Sequence, residues 1–85
     1  MIESFINYLE YEKKASPHTV TAYRYDLEQF QEFALLSFEK DSISEVDHTE
    51  IRAWVIDLVD EGLSSTTVNR KMETLRSFYK FLLHS

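Results

Sequence analysis

Apolar residues recur along this chain at helical spacing in four stretches, separated by short polar interruptions. Ile2, Phe5, Ile6 and Leu9 mark the buried face of a first helix running from Ile2 to about Lys13, with Glu3, Asn7, Glu10 and Lys14 outside and Tyr8 and Tyr11 at its border. Ala15-Ser16-Pro17 stops the chain and restarts it. Proline disfavours helical geometry at Ser16 yet suits the first helical position, which makes Ser16 the N-cap of a second helix. That helix is the longest, with a stripe of Val20, Tyr23, Leu27, Phe30 and Ala34 continuing to Phe38, and with His18, Thr21, Arg24, Tyr25, Glu28 and Glu32 outward. Glu39 to Val46 reads as a polar loop from which Ile43 and Val46 tuck back onto the core.

A third helix opens at Asp47 as N-cap, with Glu50 three residues on as the partner in a capping box and Val46 and Ile51 as a hydrophobic staple. It turns Ile51, Trp54, Val55 and Leu58 inward and ends where Gly62 supplies a left-handed position. The fourth begins at Ser64, stapled by Leu63 and Val68, and carries one apolar face through Val68, Met72, Leu75, Phe78, Tyr79 and Leu82. Thr66, Asn69, Arg70, Glu73, Arg76, Ser77 and Lys80 lie opposite. Only one Gly and one Pro occur in 85 residues, too few for the turns of an all-β domain, so the fold class is all-α. A single core is expected from Phe5, Leu9, Tyr23, Leu27, Phe30, Ile51, Trp54, Leu58, Met72, Leu75 and Phe78 in a monomeric domain. No internal repeat or low-complexity segment breaks the pattern.

Composition removes several kinds of chemistry. With no Cys, zinc fingers, thiol nucleophiles and disulfide scaffolds are excluded together. His18, His48 and His84 lack metal-ligand spacing, Gly62 is alone and forms no phosphate-cradling loop, and Asp60-Glu61 are adjacent rather than facing, as a solvated helix end would have them. A non-catalytic chain without metal or cofactor is expected. No apolar run approaches the ~18 residues of a membrane span, and the N-terminus has no signal-peptide pattern, so a cytoplasmic chain without membrane contact is expected.

Charge is distributed unevenly. The chain carries a net -6, yet Ser64 to Ser85 holds Arg70, Lys71, Arg76 and Lys80 against Glu73 alone, and is +3. Asp47 to Glu61 is -4 and should face away from any polyanion. Lys13 and Lys14 stand just ahead of the second helix, whose dipole also favours an anion at its start. Cations mixed with Thr, Ser and Asn on one helix face suit phosphates, sugars and base edges, and also suit a solvated surface with Glu73 paired to Lys80 or Arg70. Lys71 flanks the apolar stripe, where its stem can snorkel.

Stretches on three of the helices carry a family resemblance. Ser16-x-x-Thr19-x-x-x-Tyr23-x-x-Asp26-Leu27 on the second helix, Ile51-Arg52 on the third, and Thr67-x-Asn69-Arg70 followed by Leu75-Arg76-x-Phe78-Tyr79-x-Phe81-Leu82 on the fourth resemble the N-terminal core-binding domain of tyrosine recombinases of the phage-integrase and Xer type. The resemblance implies a compact four-helix, SAM-like orthogonal bundle that forms one half of a clamp around double-stranded DNA in DNA integration or recombination. It implies further protomers as partners in a synaptic complex and a separate catalytic domain, so that none of the five tyrosines here is a nucleophile. By resemblance Thr19, Arg24, Thr67, Asn69, Arg70 and Arg76 are DNA-binding candidates. The residues themselves add Lys14, His18, Thr21, Tyr25, Thr66, Lys71, Ser77 and Lys80. A helical protein-interaction module, or a small structural domain of an unrelated enzyme, is the competing reading.

Overall fold

A computed structural model describes residues 1–84, the side chain of Glu45 excepted. Among these residues the regular elements are α1 (Ile2–Tyr11), α2 (Pro17–Phe38), α3 (His48–Asp60), α4 (Ser65–Leu83) and a 3-10 turn at Ile43–Glu45, with no strand. The all-α expectation holds. No helix is long and apolar enough to cross a membrane.

The helix starts follow their caps. The hydroxyl of Ser16 accepts from the backbone N–H of Thr19 at 3.2 Å, the carboxylate of Asp47 from Glu50 at 3.1 Å, and the hydroxyl of Ser64 from Thr67 at 3.3 Å, each satisfying a donor that the first turn leaves open. Gly62, at φ 88°, closes α3 with its own N–H on Val59 and that of Leu63 on Leu58. Two expectations are corrected. Helix α1 stops at Tyr11 rather than Lys13, because the chain turns left-handed at Lys14 (φ 52°) and sends the Ala15 N–H back to the Leu9 carbonyl at 2.9 Å. The segment read as loop contains the 3-10 turn, and Ile43 within it is 2% exposed, as its expected tuck requires.

Helix α2 packs against all the other elements, and the core gathers around it. Phe5, Ile6 and Leu9 meet Leu27, Phe30 and Ala34, with Ile43, Trp54, Leu58, Val68, Leu75 and Phe78 closing the interior. The Trp54 ring lies 4.8 Å from that of Phe30, while Phe5 meets Phe78 edge-on at 5.5 Å. Tyr23, Ile51 and Met72 pack against this core half-buried instead of lying within it. Burial of Asp26, Glu50, Lys71 and Thr74 departs most from the expected pattern. Glu50 caps only through its backbone: its carboxylate is turned inward, with Oε1 3.6 Å from Lys40 and Oε2 unpartnered among the described residues.

Tyr79 ties α4 to the 3-10 turn by donating its hydroxyl to the Ile43 carbonyl. Burial, reinforced by the charge of Glu50, pushes its phenol pKa above the ordinary value, so the donor keeps its proton. Tyr79→Phe orphans that carbonyl and is expected to cost about 1 kcal/mol, a fall in Tm of roughly 4–8 °C in a domain of this size. Because the folded pKa is raised, the stabilisation is complete below the unfolded phenol's pKa of ~10 and is lost as pH rises beyond it. The gap between wild type and Tyr79→Phe should therefore narrow in strong alkali, as thermal melts at neutral and alkaline pH will register.

Candidate nucleic-acid interface

Helices α2 and α4 lie side by side in opposite senses, joined at Asp26. This carboxylate is fully buried and takes four donors from α4. Oδ1 accepts from Arg70 Nη2 at 2.7 Å and Lys71 Nζ at 3.0 Å, and Oδ2 from Arg70 Nε at 3.3 Å and Thr74 Oγ1 at 2.8 Å. The Lys71 ammonium also donates to Gln29 Oε1 at 2.7 Å and stands 5.0 Å from the centre of the Tyr25 ring. Every lone-pair direction of Asp26 is thereby used, the condition under which a buried charge is tolerated.

Helical spacing from this joint puts His18, Ala22, Tyr25 and Gln29 on one flank of α2, and Thr66, Arg70, Glu73, Ser77 and Lys80 on the adjoining flank of α4. Both flanks turn away from the core residues Leu27, Phe30, Leu75 and Phe78. Toward the start of α2, a groove of about 790 Å³ brings Thr19, Ser77 and Lys80 together with Lys13 and His84 over a floor that includes Phe5, Tyr8 and Phe81.

The candidates divide accordingly. His18, Tyr25, Arg70, Ser77 and Lys80 fall on the joint α2/α4 face, with Thr66 at its edge. Asn69 and Arg76 are exposed farther round α4. Thr19 and Thr67 are hydrogen-bonded through their hydroxyls to the capping Ser16 and Ser64 at 3.0 and 3.1 Å, and so brace the two helix starts. Lys14 is exposed at the bend before α2, and Thr21 lines a shallow depression with Glu10 and Tyr11 of α1. Arg24 is turned to the α1 side, where its guanidinium holds both oxygens of Glu3 and keeps that carboxyl below the usual carboxylate range. Lys71 is 2% exposed and spends its charge on Asp26, so it has no surface to offer a phosphate. Arg76 pairs with Glu73 at 3.1 Å in the open, an ion pair of the kind that contributes ~1 kcal/mol or less.

Asp26, Gln29 and Thr74 were not among the candidates. A signal for them does exist in the sequence: Asp26 is in register with Tyr23 and Phe30, and Lys71 with Val68 and Leu75, so opposite charges stand on two apolar stripes. No group of His, Asp and Glu among the described residues is arranged to hold a metal.

The sequence profile of the phage integrase N-terminal SAM-like domain matches residues 2–85. The chain belongs to this family. It is 46% identical over 81 residues to a tyrosine recombinase XerC of Oceanobacillus iheyensis, covering 95% of this chain and 26% of that protein. The XerC of Lacticaseibacillus casei is 40% identical with 95% and 27% covered, and that of Thermodesulfovibrio yellowstonii 41% identical with 95% and 25% covered. The chain thus spans about a quarter of the length of the curated relatives it matches. No solved structure matches it.

Proposed function

We propose that this chain is the DNA-binding half of a cytoplasmic site-specific tyrosine recombinase, and that it lays its α2/α4 face on duplex DNA opposite a catalytic domain on the same polypeptide. The observation that carries this reading is the face itself. It gathers exposed Arg70, Lys80, His18 and Tyr25 and half-buried Ser77 on two adjacent helices, with Glu73 the acid on the α4 flank, while the exposed acids Asp57, Asp60 and Glu61 stand on α3 and at its end. Cations there neutralise phosphates, and the short hydroxyl and amide side chains of Thr66 and Asn69 near the start of α4 suit base edges. The domain is non-catalytic in this reading, with double-stranded DNA and other recombinase protomers as its partners. A net charge of -6 opposes approach to DNA, so useful affinity arises when the tethered catalytic half closes from the other side and makes the second contact intramolecular.

Lys80→Ala on the joint face and Arg76→Ala on the adjoining exposed side of α4, each placed in the recombinase carrying this domain, test the reading. Each is expected to weaken binding to all duplexes alike and to lower the magnitude of the salt slope by ~1, with helical content unchanged by circular dichroism. Unaltered affinity and slope in both variants would instead favour a protein-interaction module.

A further inference from the structure

Asp26 and Lys71 are the charged groups for which surface recognition gives no direct use. Both are buried, and burying an acid and a base carries a desolvation cost that apolar residues would avoid. What they accomplish together is visible at Arg70, whose side chain is 44% exposed. Asp26 grips the guanidinium by one edge, through Nε and Nη2. The other edge, formed by Nη1 and the second hydrogen of Nη2, takes no protein partner among the described residues and has the fork geometry that fits two phosphate oxygens. Thr74 reinforces the arrangement, bonding Asp26 on one side and the Arg70 carbonyl at 3.1 Å on the other.

Charge completes the argument. An arginine paired with one carboxylate is a neutral unit with little attraction for phosphate. Here Lys71 supplies a second cation to the same carboxylate from below, so Asp26, Arg70 and Lys71 sum to +1, and only Arg70 brings that charge to the surface. Tyr25 and Gln29 flank the Lys71 ammonium and shelter it.

Resting on the DNA-binding reading above, we infer that Asp26 and Lys71 are positioning residues that hold Arg70 as a pre-oriented, undiminished cation for a single backbone phosphate on the α2/α4 face. Pre-orientation spares the side-chain ordering that a loose surface arginine undergoes on binding.

The inference separates from simple charge counting because Asp26→Ala/Lys71→Met leaves the net charge unchanged and keeps Arg70. The test is a cycle in the recombinase carrying this domain: wild type, Arg70→Ala, Asp26→Ala/Lys71→Met, and the triple variant. Each is titrated with duplex DNA across a salt series at a temperature where circular dichroism shows it folded. In the wild-type background Arg70→Ala is expected to weaken binding about tenfold and to lower the salt slope by ~1; in the Asp26→Ala/Lys71→Met background the same change is expected to cost about threefold or less. An equal loss in both backgrounds overturns the inference, since Arg70 then works unanchored and the buried pair serves the fold alone. If Arg70→Ala is silent in wild type while Lys80→Ala weakens binding, the inference falls and the DNA face stands; if only Arg76→Ala weakens binding, the inference falls and the contact moves to the outer side of α4. If all three are silent, the DNA-binding reading falls with it. If the double variant does not fold, Asp26→Leu/Lys71→Met, which fills the space of the pair with apolar side chains and likewise leaves the net charge unchanged, takes its place in the cycle with the same criteria.

Discussion

Asp26→Ala alone is expected to remove a large share of the domain's stability. The substitution leaves the Lys71 ammonium, on a side chain only 3% exposed, without its counter-ion, and breaks the joint between α2 and α4. Arg70 can swing into solvent, but Lys71 is held within the packed interior beside Val68 and Leu75. Stranding one partner of a buried pair costs about 3–5 kcal/mol. At ~0.05–0.15 kcal/mol per residue, a domain of this length has roughly 4–13 kcal/mol in total, so the loss consumes a large share of it. The physical cause is separable from packing by Asp26→Ala/Lys71→Met, which removes acid and base together and should recover most of the lost stability. Urea titrations followed by circular dichroism read the difference as a shift in midpoint. Equal destabilisation of the single and double variants would mean that the cavity, and not the stranded charge, is responsible.

Trp54→Ala should be comparably severe for a different reason. The indole is 1% exposed and is the largest fully buried side chain, and it joins α3 to α2 across the Phe30 ring at 4.8 Å. Truncation removes the transfer energy of the ring and leaves a cavity that the short α3 can only partly close, at a cost of about 3–5 kcal/mol. Trp54→Phe keeps an aromatic partner for Phe30 and should cost less than half as much. A melting temperature left unchanged by Trp54→Ala would remove Trp54 from the core.

The contrast between these two residues explains what the sequence disclosed. Trp54 was legible because its burial follows from a local period, with Ile51, Val55 and Leu58 recurring around it on one helix. The caps at Ser16, Asp47 and Ser64 and the left-handed Gly62 were legible for the same reason, since each signal lies within three or four residues of its effect. The left-handed turns at Lys14 and Glu39 carry no Gly or Asn to announce them, and so the end of α1 was misplaced. Charge was the harder variable. Arg24 resembles any other surface cation in the sequence, and Lys71 shows there only as a cation beside an apolar stripe; their partners lie far off, Glu3 21 residues away and Asp26 45. Periodicity can mark a charge as buried but does not name its partner across such separations, and a residue whose type suits DNA can be committed elsewhere by the fold. Ser77 and Lys80, candidates by residue type and spacing along α4, line a groove with Thr19 of α2, a neighbour that spacing along one helix does not reveal.

The Asp26 joint also bears on how the chain reaches its native state. The contacts of α1 with α2, and of α3 with α4, close short stretches of chain and can form early. The bonds from Asp26 to Arg70, Lys71 and Thr74 bridge 44 to 48 residues and require both helical pairs to dock. A chain emerging from the ribosome therefore holds Arg70 on a partly built helix with its guanidinium unfixed until the last quarter of the domain has been made. The surface proposed to present Arg70 to a phosphate comes into being only with the final docking step, so a nascent or half-folded chain displays no ordered form of it.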